Sequence, residues 1–549
     1  MGIRYLTGSL ATDPAAAHNS ISFSEVGDPE VTVVVTGWRA APLLTRCLES
    51  LAAMDEPPSF EVIVSLNDPT PSLLSELASS VSGATILISE ANRGFGGACN
   101  AAAKLARGRY LALLNDDATA GPSWLGELVA TADSDPGIGA VAGALYGHDG
   151  SLVEAGSFLW SDGWPTPAGD GDGDLPYRYD WCRRVDFASA ASLLIRRSVW
   201  DDLGGFDERY YPAYFEDADL CLRVATHGQR VVVAPTSRAY HVRSASSGDT
   251  YSAFLSSRNH EVFARRWSGL LAERPQRAGE AVGDQEEALW VAMGKPHRVL
   301  VVVADPPDSS SGAVTGDLRD LLFRLASQSR CFLTLYAPRI DRVERERLTR
   351  RGIRFIDSGL SGFLANPKVS FDTVLTYGGR PSERLTSVLR EGRAQAYMCS
   401  QAGQLSDRLE ALLRSLESQA AALSGPPGPS GPPGLAGGSG PAVSARPLDS
   451  PDVAPDDLAP DGREHAEALP DPDPEETIRY MRAEREVREA YFDWMIQKYR
   501  SRISTIVADR LAAHAQRVPA AWSLSKQYLR PLMRRVLARG HPTPGDRSA

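Results

Sequence analysis

No stretch of this 549-residue chain strings together the roughly 18 to 20 apolar residues needed to cross a bilayer, so no membrane-spanning helix is expected. The longest apolar runs, Val31 to Val35 and Val299 to Ala304, have the length of buried strands. Cysteine is scarce. Cys47, Cys99, Cys182, Cys221, Cys331 and Cys399 form no C-x-x-C pair, which argues against a zinc cluster or a disulfide framework and leaves them as small core residues. The first residues, Met-Gly-Ile-Arg-Tyr-Leu-Thr-Gly-Ser, lack the order of an export signal, so a cytoplasmic chain is expected. Positive charge is also in deficit: 58 Lys and Arg stand against 69 Asp and Glu, and the net −11 offers nucleic acid no general attraction.

What is present is ordinary globular composition, 43% hydrophobic and 23% charged, which excludes collagen, a coiled coil or a wholly disordered chain and suits two or three domains. After a lead-in over residues 1–30, strand-like and helix-like stretches alternate: Val31 to Thr36, Leu43 to Met54, Phe60 to Leu66, Ser72 to Ser80, Thr85 to Ile88, Ala98 to Ala106 and Tyr110 to Leu114. This pattern predicts an α/β sheet with helices on both faces over residues 31–275. A second alternation over 296–400, with a helix at Ser382 to Glu391, predicts a small Rossmann-like unit, and 401–424 reads as an amphipathic helix through Leu405, Leu409, Leu412, Leu413 and Leu416.

Glycines at 425, 428, 431, 434, 437 and 440 keep a period of three, but six triplets read more simply as the start of a Pro/Gly-rich linker over 425–476. Leu448 to Glu476 holds eleven acids against one Arg, a composition expected to be disordered. The sign then reverses, and Arg479 to Arg539 carries fourteen Lys or Arg against five acids, predicting a basic helical segment over 477–541. Tyr491, Phe492, Trp494 and Met495 within it suit an ordinary helical hairpin with a solvated basic face, a docking helix that neutralises the acidic linker, or contact with a peripheral membrane surface.

Chemistry concentrates in four places. Asn115-Asp116-Asp117 follows an apolar strand, at the carboxyl end where open α/β sheets bind ligands; two acids there suit a divalent cation on a diphosphate, or a simple turn. Asn92-Arg93-Gly94-Phe95-Gly96-Gly97 precedes a helix, where backbone N–H groups and Arg93 can meet phosphate or ribose. Glu216-Asp217-Ala218-Asp219 opens an amphipathic helix; the acids either favour the helix dipole or, shielded by Tyr210, Tyr211, Tyr214 and Phe215, include a base of raised pKa. His241 follows the strand-like Arg230 to Ala234 and is either an ordinary surface or core residue or an imidazole ligand for a metal.

In that order these pieces resemble the family 2 glycosyltransferases of the GT-A fold: an N-R-G-F segment, a D-x-D-like triplet, Gly204-Gly205-Phe206-Asp207-Glu208 leading to Glu216-Asp217-Ala218-Asp219-Leu220 and Arg223, then Tyr240-His241. The resemblance covers about Val31 to Leu271, and the spacing from Asp217 to His241 is similar to that of rhamnosyl- and galactofuranosyltransferases. It implies an inverting transfer of a sugar from a nucleotide donor of the dTDP-rhamnose or UDP-hexose class to a hydroxyl of a cell-surface or lipid-linked glycan. It also implies Mg²⁺ or Mn²⁺ on Asp117, His241 and Asp116, with Asp217 as base. Asn92, Arg93, Gly94, Asp116 and Asp68 would meet the donor, and Glu216, Asp219 and Trp164 would shape the acceptor pocket.

The chain departs from the family where Thr36-Gly37-Trp38-Arg39 replaces T-Y-N, and where Leu66 takes the place of a nucleotide-contacting Asp, with Asp68 the nearest substitute. Ser189-Ala190-Ala191 stands for the family's S-G-A. The unit from His297 resembles the first half of a GT-B glycosyltransferase without its second half, which suits a structural or acceptor-positioning role. The departures keep a second reading open, that of a noncatalytic nucleotide-sugar or glycan-binding scaffold.

Overall fold

Val31–Gly37 (β3) is buried along its whole length because parallel partners flank it on both sides, Phe60–Asn67 (β4) and Tyr110–Asn115 (β7), and β-branched valines fill such a position well. This is seen in a computed structural model that describes residues 4–6, 21–38, 41–169, 179–241, 249–277, 291–294, 297–303, 316–326, 331–338, 340–356, 360, 363, 371–377, 395–399, 402–423 and 475–495. The other strands of this sheet are Arg4–Leu6 (β1), Thr85–Ser89 (β6), Ala118–Ala120 (β8), Ile138–Tyr146 (β9), Leu152–Glu154 (β10), Arg183–Arg184 (β13), Ser192–Arg196 (β14) and Arg230–His241 (β15). Their order is β1-β6-β4-β3-β7-β14-β9-β15-β13, with β10 on β9 and β8 on β15. Short pairs lie beside it, Ile21–Ser22 (β2) with Val81–Ser82 (β5) and Ser157–Leu159 (β11) with Pro165–Pro167 (β12).

Side chains alternate across β7, so Tyr110, Ala112 and Leu114 enter one core while Leu111 and Leu113 enter the other. The first core is closed by Ala41–Ala52 (α1), Pro71–Ser80 (α2) and Trp124–Asp133 (α4); Leu44, Cys47, Leu48 and Leu51 of α1 form the buried stripe of a helix. The second is closed by Gly94–Ala103 (α3), Arg197–Leu203 (α5), Glu216–Thr226 (α6), Asp249–Arg266 (α7) and Ser268–Leu271 (α8). The expected α/β architecture with helices on both faces is therefore present.

His297–Val303 (β16), Cys331–Tyr336 (β17), Arg354–Ile356 (β18), Thr373–Tyr377 (β19) and Gln395–Cys399 (β20) make a second, all-parallel sheet in the order β18-β17-β16-β19-β20. Leu405, Leu409, Leu413 and Leu416 of helix Ala402–Leu423 are buried with Leu318, Leu322 and Leu325 of helix Gly316–Ala326. The two sheets are tied where the Cys182 N–H donates to the Thr349 carbonyl at 3.0 Å, Arg350 Nε donates to Glu127 at 3.0 Å, and the rings of Trp181 and Phe332 lie 4.7 Å apart.

Residues 1–480 cluster as one unit and 481–549 as another. Helical structure covers 475–480 in the first and 481–495 in the second. Among the described residues no helix is long and apolar enough to cross a membrane. The helix expected at Ser382 to Glu391, the linker up to 474 and the basic segment beyond 495 lie outside the described residues.

Three boundaries differ from the sequence expectations. α3 begins at Gly94 rather than Ala98 because Asn92 Oδ1 accepts the Gly94 N–H at 2.9 Å, and a Cβ at Gly94 would stand 2.4 Å from the Pro212 carbonyl, a space only glycine leaves. β15 runs on to His241 because β8 gives its last residues an antiparallel partner. Glu476, expected to end the linker, is helical and ion-paired.

The Trp124 indole donates to Ser192 Oγ at 2.8 Å with both residues fully buried. Ser192→Ala strands that N–H without water, and chemical denaturation should show a loss of about 1–3 kcal/mol.

Candidate functional site

β7 leaves the sheet through Asn115, Asp116 and Asp117, and β8 follows at once, pairing antiparallel with the end of β15 in a register that sets Ala118 opposite His241. The imidazole Nε2 consequently meets Asp117 Oδ1 at 2.9 Å across 124 positions of sequence. Asp116 is 7% exposed and accepts the Trp38 N–H at 3.3 Å. Burial first, and the Asp117 charge second, push its carboxyl up to about 7.

The second group of acids sits at the start of α6, and their surroundings differ sharply. Asp217 is half-buried; its Oδ2 accepts the Ala190 N–H at 3.3 Å and its Oδ1 the Ala218 N–H at 2.8 Å. Burial raises its pKa against the pull of those bonds. Glu216 is buried, with Oε2 lacking any hydrogen-bond partner among the described residues, and burial followed by the Asp217 charge lifts it well above the carboxylate range. Asp219 is fully buried and saturated, accepting from Tyr210 Oη at 3.1 Å, Trp267 Nε1 at 2.9 Å and Arg223 Nε at 2.7 Å. Asp219, expected to shape the acceptor pocket, thus supports the start of the helix from inside.

One ladder joins the two groups. The Asn115 N–H donates to the Ala191 carbonyl at 3.3 Å, and Ala190 beside it donates to Asp217, so Asp217 stands at the same end of the sheet as Asp116 and Asp117. Trp164 flanks the start of α6, stacked on His260 with ring centres 4.1 Å apart and edge-on to Phe215 at 5.8 Å. Tyr214 and Phe215 hold φ of +78° and +73°, a left-handed conformation costing bulky residues about 1–3 kcal/mol each.

Arg93 is placed differently from the sequence expectation of a phosphate or ribose ligand. It is 4% exposed, donates from Nε to Ser89 Oγ at 3.0 Å, and makes a two-pronged pair with Glu476, both N–O distances 3.0 Å. The Tyr480 ring lies 5.1 Å from its guanidinium. The structure thus engages Arg93 with the 475–480 segment. Asn92 gives its carbonyl to Tyr211 Oη at 2.9 Å, while Asn67 brackets the turn, accepting the Arg93 N–H and donating to the Gly94 carbonyl. Leu66 is wholly in the core, and the exposed Asp68 follows it in a left-handed turn, φ +44°. Sequence reasoning missed Glu476 and Tyr480, which share a helix face at i and i+4; the acids before them hid that signal.

Among the described residues no three His, Cys, Asp or Glu side chains make a ready-formed metal cluster. Asp117, His241 and Asp116 nonetheless suit a hard divalent cation that takes its remaining oxygens from a bound diphosphate and water, since a cation supplies the countercharge the buried Asp116 wants.

The profile of Glycosyl transferase family 2 matches residues 32–182, so the chain carries a domain of that family. O-antigen biosynthesis protein RfbC of Myxococcus xanthus is 32% identical over 263 residues, 45% of this chain and 20% of its own length. N-acetylglucosaminyl-diphospho-decaprenol L-rhamnosyltransferase of Mycobacterium tuberculosis is 27% identical over 271 residues, 43% of this chain and 85% of its own. Among solved structures, mannosyltransferase PcManGT from Pyrobaculum calidifontis, in complex with GDP-Man and Mn²⁺, aligns over 48% of this chain and 74% of its own at 19% identity, with a TM-score of 0.34. The chain thus spans only a fifth to a quarter of the length of the Myxococcus relative and of a Sinorhizobium fredii protein matched at 32% identity.

Because burial favours the protonated Glu216, its contribution to stability is complete below the unfolded value of 4.5 and is lost as pH rises through the higher folded value. Glu216→Gln removes that dependence. In chelator-treated protein, urea titrations should show this variant gaining on the parent as pH rises from about 5 to about 8; parallel stabilities across that range would contradict the assignment.

Proposed function

We propose that this chain is an inverting glycosyltransferase that moves a sugar from a nucleotide donor of the dTDP-rhamnose or UDP-hexose class to a hydroxyl of a cell-surface or lipid-linked glycan, working in the cytoplasm. The observation that carries the reading is the convergence of Asp117 and His241 to 2.9 Å at the sheet end where Asp217 also stands. The family 2 domain over 32–182 supports it.

In this reading Asp217 takes the proton from the acceptor hydroxyl as its oxygen attacks the anomeric carbon opposite the nucleoside diphosphate. A half-buried carboxyl of raised pKa suits that task, because its basicity lies closer to neutral pH than that of an exposed carboxylate. Asp117, His241 and Asp116 would hold Mg²⁺ or Mn²⁺, which when bound neutralises charge on the departing diphosphate. Asn92 and Gly94 border the donor side and Asp68 its rim, while Trp164 offers the acceptor an apolar wall beside Phe215. Burial, and after it the Asp217 charge, favour the protonated form of Glu216, which lessens negative charge beside Asp217. A lipid-linked acceptor would bring the chain to the inner face of a membrane, and Phe492, 63% exposed beside Tyr491 and Trp494, supports peripheral contact there.

A second reading, a noncatalytic nucleotide-sugar or glycan-binding scaffold, is favoured by one observation: Arg93 is already engaged by Glu476. The two readings part on turnover. With dTDP-rhamnose, Mn²⁺ and a synthetic N-acetylglucosaminyl-diphospho-lipid, the enzyme reading expects product, and Asp217→Asn should lower kcat by about 10² to 10⁴ while nucleotide binding persists. Near-parental turnover in that variant would refute Asp217 as base. Asp117→Asn and His241→Ala should each weaken Mn²⁺ binding by about 10- to 100-fold, read by calorimetry in the presence of the nucleotide.

A further inference from the structure

The turn Tyr210–Phe215 delivers α6 to the site in a conformation its own residues do not favour, since Tyr214 and Phe215 both occupy left-handed backbone where glycine is the usual occupant. Something outside the turn must hold it. Asn259, on α7 and fully buried, aims its carboxamide into the turn: Nδ2 donates to the carbonyls of Tyr210 at 2.7 Å, Ala213 at 2.8 Å and Tyr214 at 3.0 Å. Two amide hydrogens serve three acceptors, so one is shared. Its Oδ1 in turn accepts Arg258 Nη1 at 2.8 Å, and the same Nη1 donates to the Tyr211 carbonyl at 2.9 Å. Four of the carbonyls between Tyr210 and Tyr214 are thereby fixed from two successive residues of one helix.

The consequence reaches the acids directly. The Phe215 carbonyl accepts the Asp219 N–H at 3.0 Å and starts α6, and Asp217, two residues past Phe215, has its Oδ2 on the Ala190 N–H. We infer that Asn259 is a positioning residue that clamps the strained Tyr210–Phe215 turn so that Asp217 faces the acceptor hydroxyl. The inference rests on the reading of Asp217 as base. Asn259 is fully buried and acts through the backbone carbonyls that its carboxamide gathers.

Asn259→Asp keeps the shape and replaces the donor with an acceptor facing three carbonyls. Hydrogen exchange of the substrate-free protein should quicken by about tenfold or more at the amides of Phe215 to Asp219, while those of β3 and β7 stay unchanged. With dTDP-rhamnose and Mn²⁺, kcat should fall by about 10- to 100-fold while donor KM stays within about twofold, the split expected of a misaimed base. Adding Tyr214→Gly, which lets that residue adopt positive φ freely, should recover a large part of both losses. Unaltered exchange at 215–219 in Asn259→Asp, or no recovery in the double variant, would overturn the inference. If Asn259→Asp does not fold, Arg258→Ala carries the same test, with exchange at 211–219 expected to quicken by about threefold and an unchanged rate overturning it. A parent protein inactive towards the sugar donor would count against the transferase reading alone, because the exchange measurement judges the clamp without any substrate.

Discussion

The antiparallel pairing of β8 with the end of β15 is the constraint on which the site depends. Three residues of β8 suffice because their register, Ala118 opposite His241, leaves Asp117 and the imidazole no arrangement but adjacency. A slip of one residue would turn His241 to the other face of the ribbon and separate the two groups. β14 contributes from the other side: its antiparallel run between β7 and β9 places Ala190 and Ala191 beside Asn115, and through Ala190 reaches Asp217. Short backbone ladders thus gather side chains that lie far apart in sequence.

The strands and helices of the first sheet were legible because their burial is written in local periodicity. Val31 to Val35 is apolar throughout since both faces of β3 are covered, and Leu44, Leu48 and Leu51 mark the inner stripe of α1. What was illegible depended on tertiary partners. The length of β15 follows from β8, a strand too short to announce itself, and the start of α3 follows from Asn92 and Pro212. Asn259 did leave a trace: it occupies the position between Leu255 and Phe263 at helical spacing, a polar residue on a buried stripe, which asks for a partner in the core. The partner could not be named without the fold.

Arg93 shows how a motif residue and its environment can part. A guanidinium beside a glycine turn at the carboxyl end of a sheet has the chemistry to grip phosphate, yet a carboxylate with matching two-pronged geometry reaches it from 383 positions away. Tyr480 seals the contact, its ring tilted 40° to that of Tyr211 at 6.0 Å and so close over α3 that a Cβ on Gly97 would stand 2.8 Å from its hydroxyl. The glycines of this segment therefore serve close packing as much as turn geometry. Tyr211 links the contact to the turn before α6, since its own hydroxyl holds the Asn92 carbonyl.

The three acids of Glu216-Asp217-Ala218-Asp219 argue that roles are set by direction rather than by residue type. At about 100° per residue, successive positions on one helical turn face different neighbours. Glu216 turns inward beside the buried Cys99 of α3, where burial favours its protonated form. Asp219 turns towards Arg223, Tyr210 and Trp267, whose donors keep it satisfied at zero exposure. Asp217 alone keeps partial exposure, with backbone N–H groups to steady it and burial to raise its basicity. A carboxyl pushed towards its neutral form, one that is spent and one that is partly exposed can thus occupy four consecutive positions, and of the three only Asp217 combines access with a raised proton affinity, the pairing that the proposed base role draws on.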